Sequence, residues 1–300
     1  METDSRLAAF LTNICYNLPM NWFVLTIISA VSYAAAEIIS KYVSDKKSEP
    51  VFIGIIAAIF TTLISFQFAR FGPMTLPTNA LALAGLVASA AFVAIGIVTY
   101  YQGLKYSDVS EFALLSRSKM PLMVLGGVLI FKEHFSLLQI IGGVFVLYSV
   151  FLLSWEGGKF HFGKGAKFAI ATSILFCIGA LCDKAVIPYY TAIMYTFLVY
   201  LLTVAFMFPL AVSRYIEGAK LPSKKTVGIL ALVGALYGIS GYCIFAAYLV
   251  QGPVSLVTLA SQFEIPIAVL WGILVLKERK KVFSKLVSMA LLIAGILLLK

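Results

Sequence analysis

Histidine is nearly absent from this chain: His134 and His161 are the two copies among 300 residues. Charge is scarce too, at 12% of residues, where soluble domains carry about a quarter. The four cysteines, Cys15, Cys177, Cys182 and Cys243, form no CxxC and no Cys/His cluster. That pattern argues against a zinc site and leaves the cysteines as small apolar packing residues. There is no GxxxxGK[ST] loop, so the chain does not hydrolyse ATP. The histidines lie in separate connectors without an acidic cluster, and an intramembrane enzyme would need a nucleophile or metal constellation. The reading is therefore no enzyme and no cofactor. Residues 1–21 also lack a basic segment followed by a cleavable apolar core, so they read as a leader and not as a signal peptide. Met20 offers an alternative start, and the apolar run from Trp22 reads as an uncleaved signal anchor.

What the chain has in excess is apolar surface. Hydrophobic residues make up 61% and the mean hydropathy is +1.00, more than a water-soluble fold of this size could hide. Lipid must be the solvent for much of it. The net charge of +10 does not point to nucleic acid, because the lysines and arginines sit in short connectors, the usual juxtamembrane arrangement. A hydrocarbon core about 30 Å thick needs roughly 20 apolar residues as helix. Ten such runs occur, near 22–43, 51–70, 80–104, 109–131, 136–154, 166–186, 188–212, 226–249, 254–276 and 282–299.

The runs repeat. Sliding the chain by 145 residues lays "VSEFALLSRSKMPLMVLGGVLIFKE" (109–133) on "VSLVTLASQFEIPIAVLWGILVLKE" (254–278), with 11 of 25 positions identical. The matches include Ser116, Pro121, Lys132 and Glu133, which apolar composition alone would not align. The first spans align through Lys41 and Lys184. The spacing predicts an all-α membrane protein of ten transmembrane helices in two five-helix repeats, 22–154 and 155–300. Five is odd, so the second copy enters the membrane from the opposite side. That inverted-topology architecture is typical of secondary transporters with a midplane site. GxxxG spacing in "GALYG" (234–238), with Gly126-Gly127 and Gly142-Gly143, predicts close helix contacts.

These features together resemble the EamA-type branch of the drug/metabolite transporter superfamily. They are the five-plus-five spans, a lysine closing the first span of each repeat (Lys41, Lys184), a proline in each fourth span (Pro121, Pro266) and a glutamate ending it (Glu133, Glu278). The family often has glycine before that glutamate, where this chain has Lys132 and Lys277. The resemblance covers everything from Trp22 onward. It implies a basket-like bundle with a central cavity, alternating access, and movement of small metabolites across a membrane.

Charges inside the spans mark the candidate site. Lys119 lies beside the middle of the fourth span and its repeat equivalent Glu264 beside the middle of the ninth; Arg117 and Gln262 are likewise equivalent. A charge at mid-helix costs about 2.5–3.5 kcal/mol and ordinarily faces a cavity or a partner. Either Lys119 or Arg117 forms a buried ion pair with Glu264, or these residues hold substrate. In the second case the cations hold a carboxylate or phosphate and Glu264 an amine or a proton. Pro121 and Pro266 each free a carbonyl and kink the helix. Arg117 and Lys119 point about 200° apart on a regular helix, so Lys119 is expected in the cavity and Arg117 beside Glu111 or Asp108. Glu37, a second candidate for proton coupling, is spaced i, i+4 to Lys41 for a local ion pair, and Asp183 beside Lys184 reads the same way. Tyr33, Tyr100, Tyr101, Tyr242 and Trp271 are candidate cavity aromatics, with Trp271 two turns from Glu264.

The odd-numbered connectors hold 16 lysines and arginines, and the even-numbered ones with both termini hold 5. The positive-inside rule then puts both termini outside the cell membrane, whereas the resemblance implies cytoplasmic termini. The expected function is secondary transport of a small polar metabolite, such as an amino acid, by a monomer or homodimer. The alternatives are sugar-, nucleotide- or lipid-linked substrates, or a channel or receptor.

Overall fold

The computed structural model describes residues 21–43, 49–70, 76–106, 115–154, 164–275 and 282–300. Leader residues 1–20, Lys277, Glu278, Glu111, Asp108 and His161 lie outside them. Every regular element among the described residues is helical. The helices are α1 (Trp22–Val43), α2 (Pro50–Ala69), α3 (Ala80–Tyr106), α4 (Lys119–Phe131) and α5 (Leu137–Ser154), then α6 (Lys164–Val186), α7 (Ala192–Ile216), α8 (Lys224–Leu249), α9 (Val254–Ala260), α10 (Glu264–Leu274) and α11 (Val282–Leu298). Seven segments are long and apolar enough to cross a bilayer. Lys119–Phe131, Leu137–Leu152 and Lys285–Leu298 are shorter apolar helices at the fourth, fifth and tenth expected positions.

Local sequence sets the starts. Thr191 caps α7 by accepting from the Met194 amide at 3.4 Å, and Ser223 caps α8 through the Thr226 amide at 3.2 Å. Pro50 stands in the first turn of α2, where its missing N–H costs nothing. The ninth span is broken: α9 ends at Ala260, a 3-10 turn covers Ser261–Phe263, and α10 starts at Glu264. The fourth span breaks at the equivalent place, with a turn at Arg117–Ser118 before α4. Both breaks lie immediately N-terminal to the prolines, whose rings remove the bond to the carbonyl four residues earlier.

The described helices, numbered by the ten expected spans, pair by symmetry. Two packs on seven (α2 on α7), four on nine (α4 on α9) and five on ten (α5 on α11). One and three are exchanged: α1 packs on α8, and α3 packs on α6. Each helix thus finds a main partner in the other repeat, as an inverted pair related by a pseudo-two-fold axis requires. Small residues allow the closest crossings. A Cβ on Gly142 would stand 2.7 Å from the Gly295 carbonyl oxygen, and one on Gly295 would stand 2.8 Å from the Gly142 carbonyl oxygen. Gly234 lies so near α2 that its carbonyl accepts from Thr61 Oγ1 at 2.8 Å.

The motif lysine and glutamate are clamps. Lys184 Nζ donates to the carbonyls of Gly252 at 2.7 Å and Tyr248 at 3.4 Å, at the end of α8. The Glu133 carboxylate accepts from the amides of Val254 at 2.5 Å and Ser255 at 3.2 Å, at the start of α9. Cation at a helix C-terminus and anion at an N-terminus is the arrangement the helix dipole favours. Together they grip the connector between α8 and α9 from both sides. Lys132, where the family often has glycine, is left-handed with φ 54°. The chain turns there so that the Glu133 amide bonds back to Gly127 O at 3.1 Å.

Candidate substrate site

The two helix breaks meet. Arg117 Nη1 donates to Gln262 Oε1 at 3.0 Å, joining repeat-equivalent residues across the pseudo-axis. Gln262 is buried, and its amide nitrogen donates to Thr258 O at 3.1 Å and Ser261 Oγ at 3.4 Å. Its oxygen is therefore turned to the guanidinium. The unwound turn of the fourth span is held by α6, where Ser173 Oγ donates to Ser116 O at 2.8 Å. Arg117 is thus turned to Gln262 of the ninth span, while Glu111 and Asp108, its expected partners, lie outside the described residues. The expectation assumed an unbroken α-helix, and a tighter turn stands at Arg117–Ser118, where Met120 N donates to Arg117 O at 3.0 Å.

Lys119 stands over the Phe176 ring of α6, its Nζ 5.8 Å from the centroid. Its equivalent Glu264 opens α10, half-buried, within electrostatic reach of Arg117, Lys119 and Glu37. No ion pair among the described residues joins Glu264 to either cation. The buried ion pair weighed from the sequence is not formed.

Beyond Glu264 lies a tyrosine cluster. Tyr100 donates its hydroxyl to Glu37 Oε1 at 3.2 Å. Tyr33 and Tyr237 have ring centroids 5.5 Å apart, and Tyr100 and Tyr101 5.2 Å apart. The Lys41 side chain, the expected partner of Glu37, lies outside the described residues. Trp271 lies on α10, the helix that Glu264 opens. It is 38% exposed beside Leu270 and Leu274 and joins none of the described buried clusters. Seven residues, two turns, separate it from Glu264 and return it to the same azimuth.

One polar centre escaped the sequence reading. Asp183 is not a surface partner of Lys184: it is 7% exposed and accepts hydrogen bonds from Ser89 Oγ of α3 and, at 2.7 Å, from the Tyr195 hydroxyl of α7. Lys119 and Asp183 lie within electrostatic reach of one another. A buried acid seven residues after Phe176, with hydroxyl residues at matching depth in other spans, was the available signal. Among the described residues no group of His, Cys, Asp and Glu could hold a metal ion.

Among the described residues, seven membrane-length apolar segments and three shorter apolar helices, with broken fourth and ninth spans meeting at polar residues, define a multi-pass membrane protein. A model of the EamA-like transporter family matches residues 20–155 and 163–300, and the chain belongs to that family, in the drug/metabolite transporter superfamily. A solved structure described as "Crystal structure of protein" superimposes with a TM-score of 0.74 at 14% identity, over 92% of this chain and 95% of that one; the likeness is one of fold. Comparison with curated proteins finds no match.

Proposed function

We propose that this transporter moves small zwitterions, amino acids or related compounds, by rocking its two repeats about the Arg117–Gln262 contact. The observation that carries the reading is the inverted charge at equivalent positions. Lys119 and Glu264 flank the contact without pairing with each other. An opposite pair left apart in a low-dielectric space is costly unless a ligand or water bridges it. A substrate with a carboxylate for Arg117 or Lys119 and an amine toward Glu264 does so. Each repeat also offers a helix broken at the site, the usual construction where transporters bind charge. Glu264 and Glu37 are the residues through which a proton gradient would couple. The lysine and arginine count supports a cell-membrane orientation with both termini outside.

The test is uptake of radiolabelled amino acids into proteoliposomes holding the purified full chain, with and without a pH gradient. Lys119→Met, Arg117→Met and Glu264→Gln each remove a charge-assisted contact worth about 1.5–3 kcal/mol. Uptake is expected to fall at least about ten-fold while monodispersity and thermal unfolding stay near wild type. Normal uptake by all three variants would make the polar row structural.

A further inference from the structure

Asp183 is a carboxylic acid at a place where an amide would serve the packing. It lies in the last turn of α6, 7% exposed, and its Oδ1 accepts from Ser89 Oγ of α3 and, at 2.7 Å, from the Tyr195 hydroxyl of α7. An asparagine oxygen could accept both bonds. The charge of the acid is disfavoured there on three counts. It is taken out of water, it stands at the negative end of the helix dipole, and no ion pair joins it to a described residue. Its neighbour Lys184 is turned to the Gly252 carbonyl at 2.7 Å.

The internal repeat shows that the fold does not require the acid. Aligning Lys41 with Lys184 puts Ser40 on Asp183, and the 145-residue register puts Gly234 on Ser89. The crossing of α1 on α8 thus has a small hydroxyl and a glycine where that of α6 on α3 has an acid and its donor. What the acid adds is a charge beside the substrate site. Phe176, whose ring lies under Lys119 Nζ at 5.8 Å, stands seven residues before Asp183, so the two share one azimuth of α6. Lys119 and Asp183 act on each other's charge without pairing. The other titratable groups around the acid are Cys182 of its own helix, Tyr195 and Tyr200 of α7, and Tyr248 of α8. Tyr190 lies beyond Tyr195, with ring centroids 5.1 Å apart, and α3 presents the neutral Ser89. Lys119 is the cation of this set.

We infer that Asp183 carries the proton of transport and is coupled to the substrate by competition for Lys119. With the site empty, Lys119 offsets the Asp183 carboxylate. A substrate carboxylate that takes the ammonium leaves the acid unneutralised in a low-dielectric space, and the acid takes a proton from water on that side of the membrane. Losing the proton to the more alkaline side lets Asp183 recapture Lys119, which releases the substrate. Linkage makes the effect reciprocal: proton and substrate each raise the affinity for the other, so the two cross together. Ser89 and Tyr195 keep their bonds to Oδ1 while Oδ2 holds the proton, so the joint survives in both states. The inference rests on Lys119 as a substrate contact, and it extends proton coupling beyond Glu264 and Glu37.

The experiment reconstitutes the purified full chain into liposomes holding a pH-sensitive dye and supplies a radiolabelled amino-acid mixture. Wild type is expected to accumulate label from an acidic exterior and to acidify the lumen as it does so. Asp183→Asn keeps both hydrogen bonds. It is expected to lower pH-driven accumulation at least about ten-fold and to abolish the label-dependent acidification, while exchange of label at equal pH persists. Should it fail to fold, Asp183→Ser, which copies the first repeat, carries the test. A residue that serves packing alone is rescued by asparagine in every readout, and that result overturns the inference. So does a loss of coupling confined to Glu264→Gln or Glu37→Gln. Wild-type uptake without proton movement overturns it too, and leaves the transport reading standing. Infrared difference spectra between acidic and alkaline buffer test the acid without substrate. Wild type should show a protonated-carboxyl band that Asp183→Asn removes and that Lys119→Met carries to higher pH. A band unchanged in both variants sinks the inference. The expected band with no amino-acid uptake by wild type sinks the zwitterion reading and leaves the proton site.

Discussion

Removing the Glu133 carboxylate should loosen the joint between the fourth and ninth spans, and the size of the effect can be worked from the contacts. Glu133 accepts from two amides at the first turn of α9, at 2.5 and 3.2 Å. These amides have no partner within their own helix, and hydrogen bonds to a charged group are worth about 1.5–3 kcal/mol each. Space for the carboxylate is made by Gly127, where a Cβ would overlap both it and Ser255 Oγ. Water would replace part of what Glu133→Ala removes, so the net loss is about 3–4 kcal/mol. At about 2–4 °C per kcal/mol for a chain near this length, apparent Tm should fall by about 10 °C. Glu133→Gln keeps an acceptor oxygen and should fall by about half as much. The control is Glu217→Ala, which removes an exposed ion pair to Arg214 at 2.8 Å worth under about 1 kcal/mol. Thermal unfolding of the purified protein in detergent, followed by tyrosine and tryptophan fluorescence, compares them. If Glu133→Ala melts within error of Glu217→Ala, the clamp contributes nothing and the reasoning fails.

Lys132→Gly should raise stability by about 0.5–1 kcal/mol, since the left-handed penalty of about 1–2 kcal/mol outweighs the added freedom of glycine in the unfolded chain; the same melt reads it. Gly142→Ala and Gly295→Ala should each cost about 1–3 kcal/mol, because the new methyl meets backbone oxygen at 2.7 or 2.8 Å. Gly228→Ala, with nothing within 4 Å of the added carbon, should be neutral or better. Asp183→Ala should cost about 2–4 kcal/mol by orphaning two buried hydroxyls, and Tyr195→Phe about 1 kcal/mol. A double-mutant cycle should show coupling between them of at least about 0.5 kcal/mol. Alkaline phosphatase fused after Lys300 should be active if the C-terminus is external, and a cytoplasmic reporter should be silent there.

The sequence made the architecture readable because lipid imposes one length on every span and duplication writes the pattern twice. Pro121 against Pro266, and Lys119 against Glu264, could be matched with no coordinates. Contacts across the fold could not. Glu133 and Lys184 stand out as repeated residues, but their partners lie 121 and 68 residues away. Only packing brings the end of one helix to the start of another. The partner of Arg117, Gln262, lies 145 residues away, beyond what periodicity within one helix can reach. Asp183 was read beside its neighbour Lys184, although adjacent residues on a helix face different ways and its real partners sit on α3 and α7. The tyrosines were legible only one at a time, as aromatics that could pack anywhere.

The exchanged pairing of the first and third spans also sets an order of assembly during synthesis. α1 enters the membrane first, yet its main partner α8 begins at Lys224, long after the first repeat is finished. Until then Glu37 faces lipid, the insertion machinery or a temporary neighbour, at a cost of about 2.5–3.5 kcal/mol if left near the bilayer centre. α3 waits a shorter time for α6, which begins at Lys164. A ribosome halted after Ser154 would therefore leave five spans with their main interfaces bare, a natural substrate for membrane quality control. The second repeat serves as the scaffold on which the first becomes stable, so neither half is a transporter in miniature.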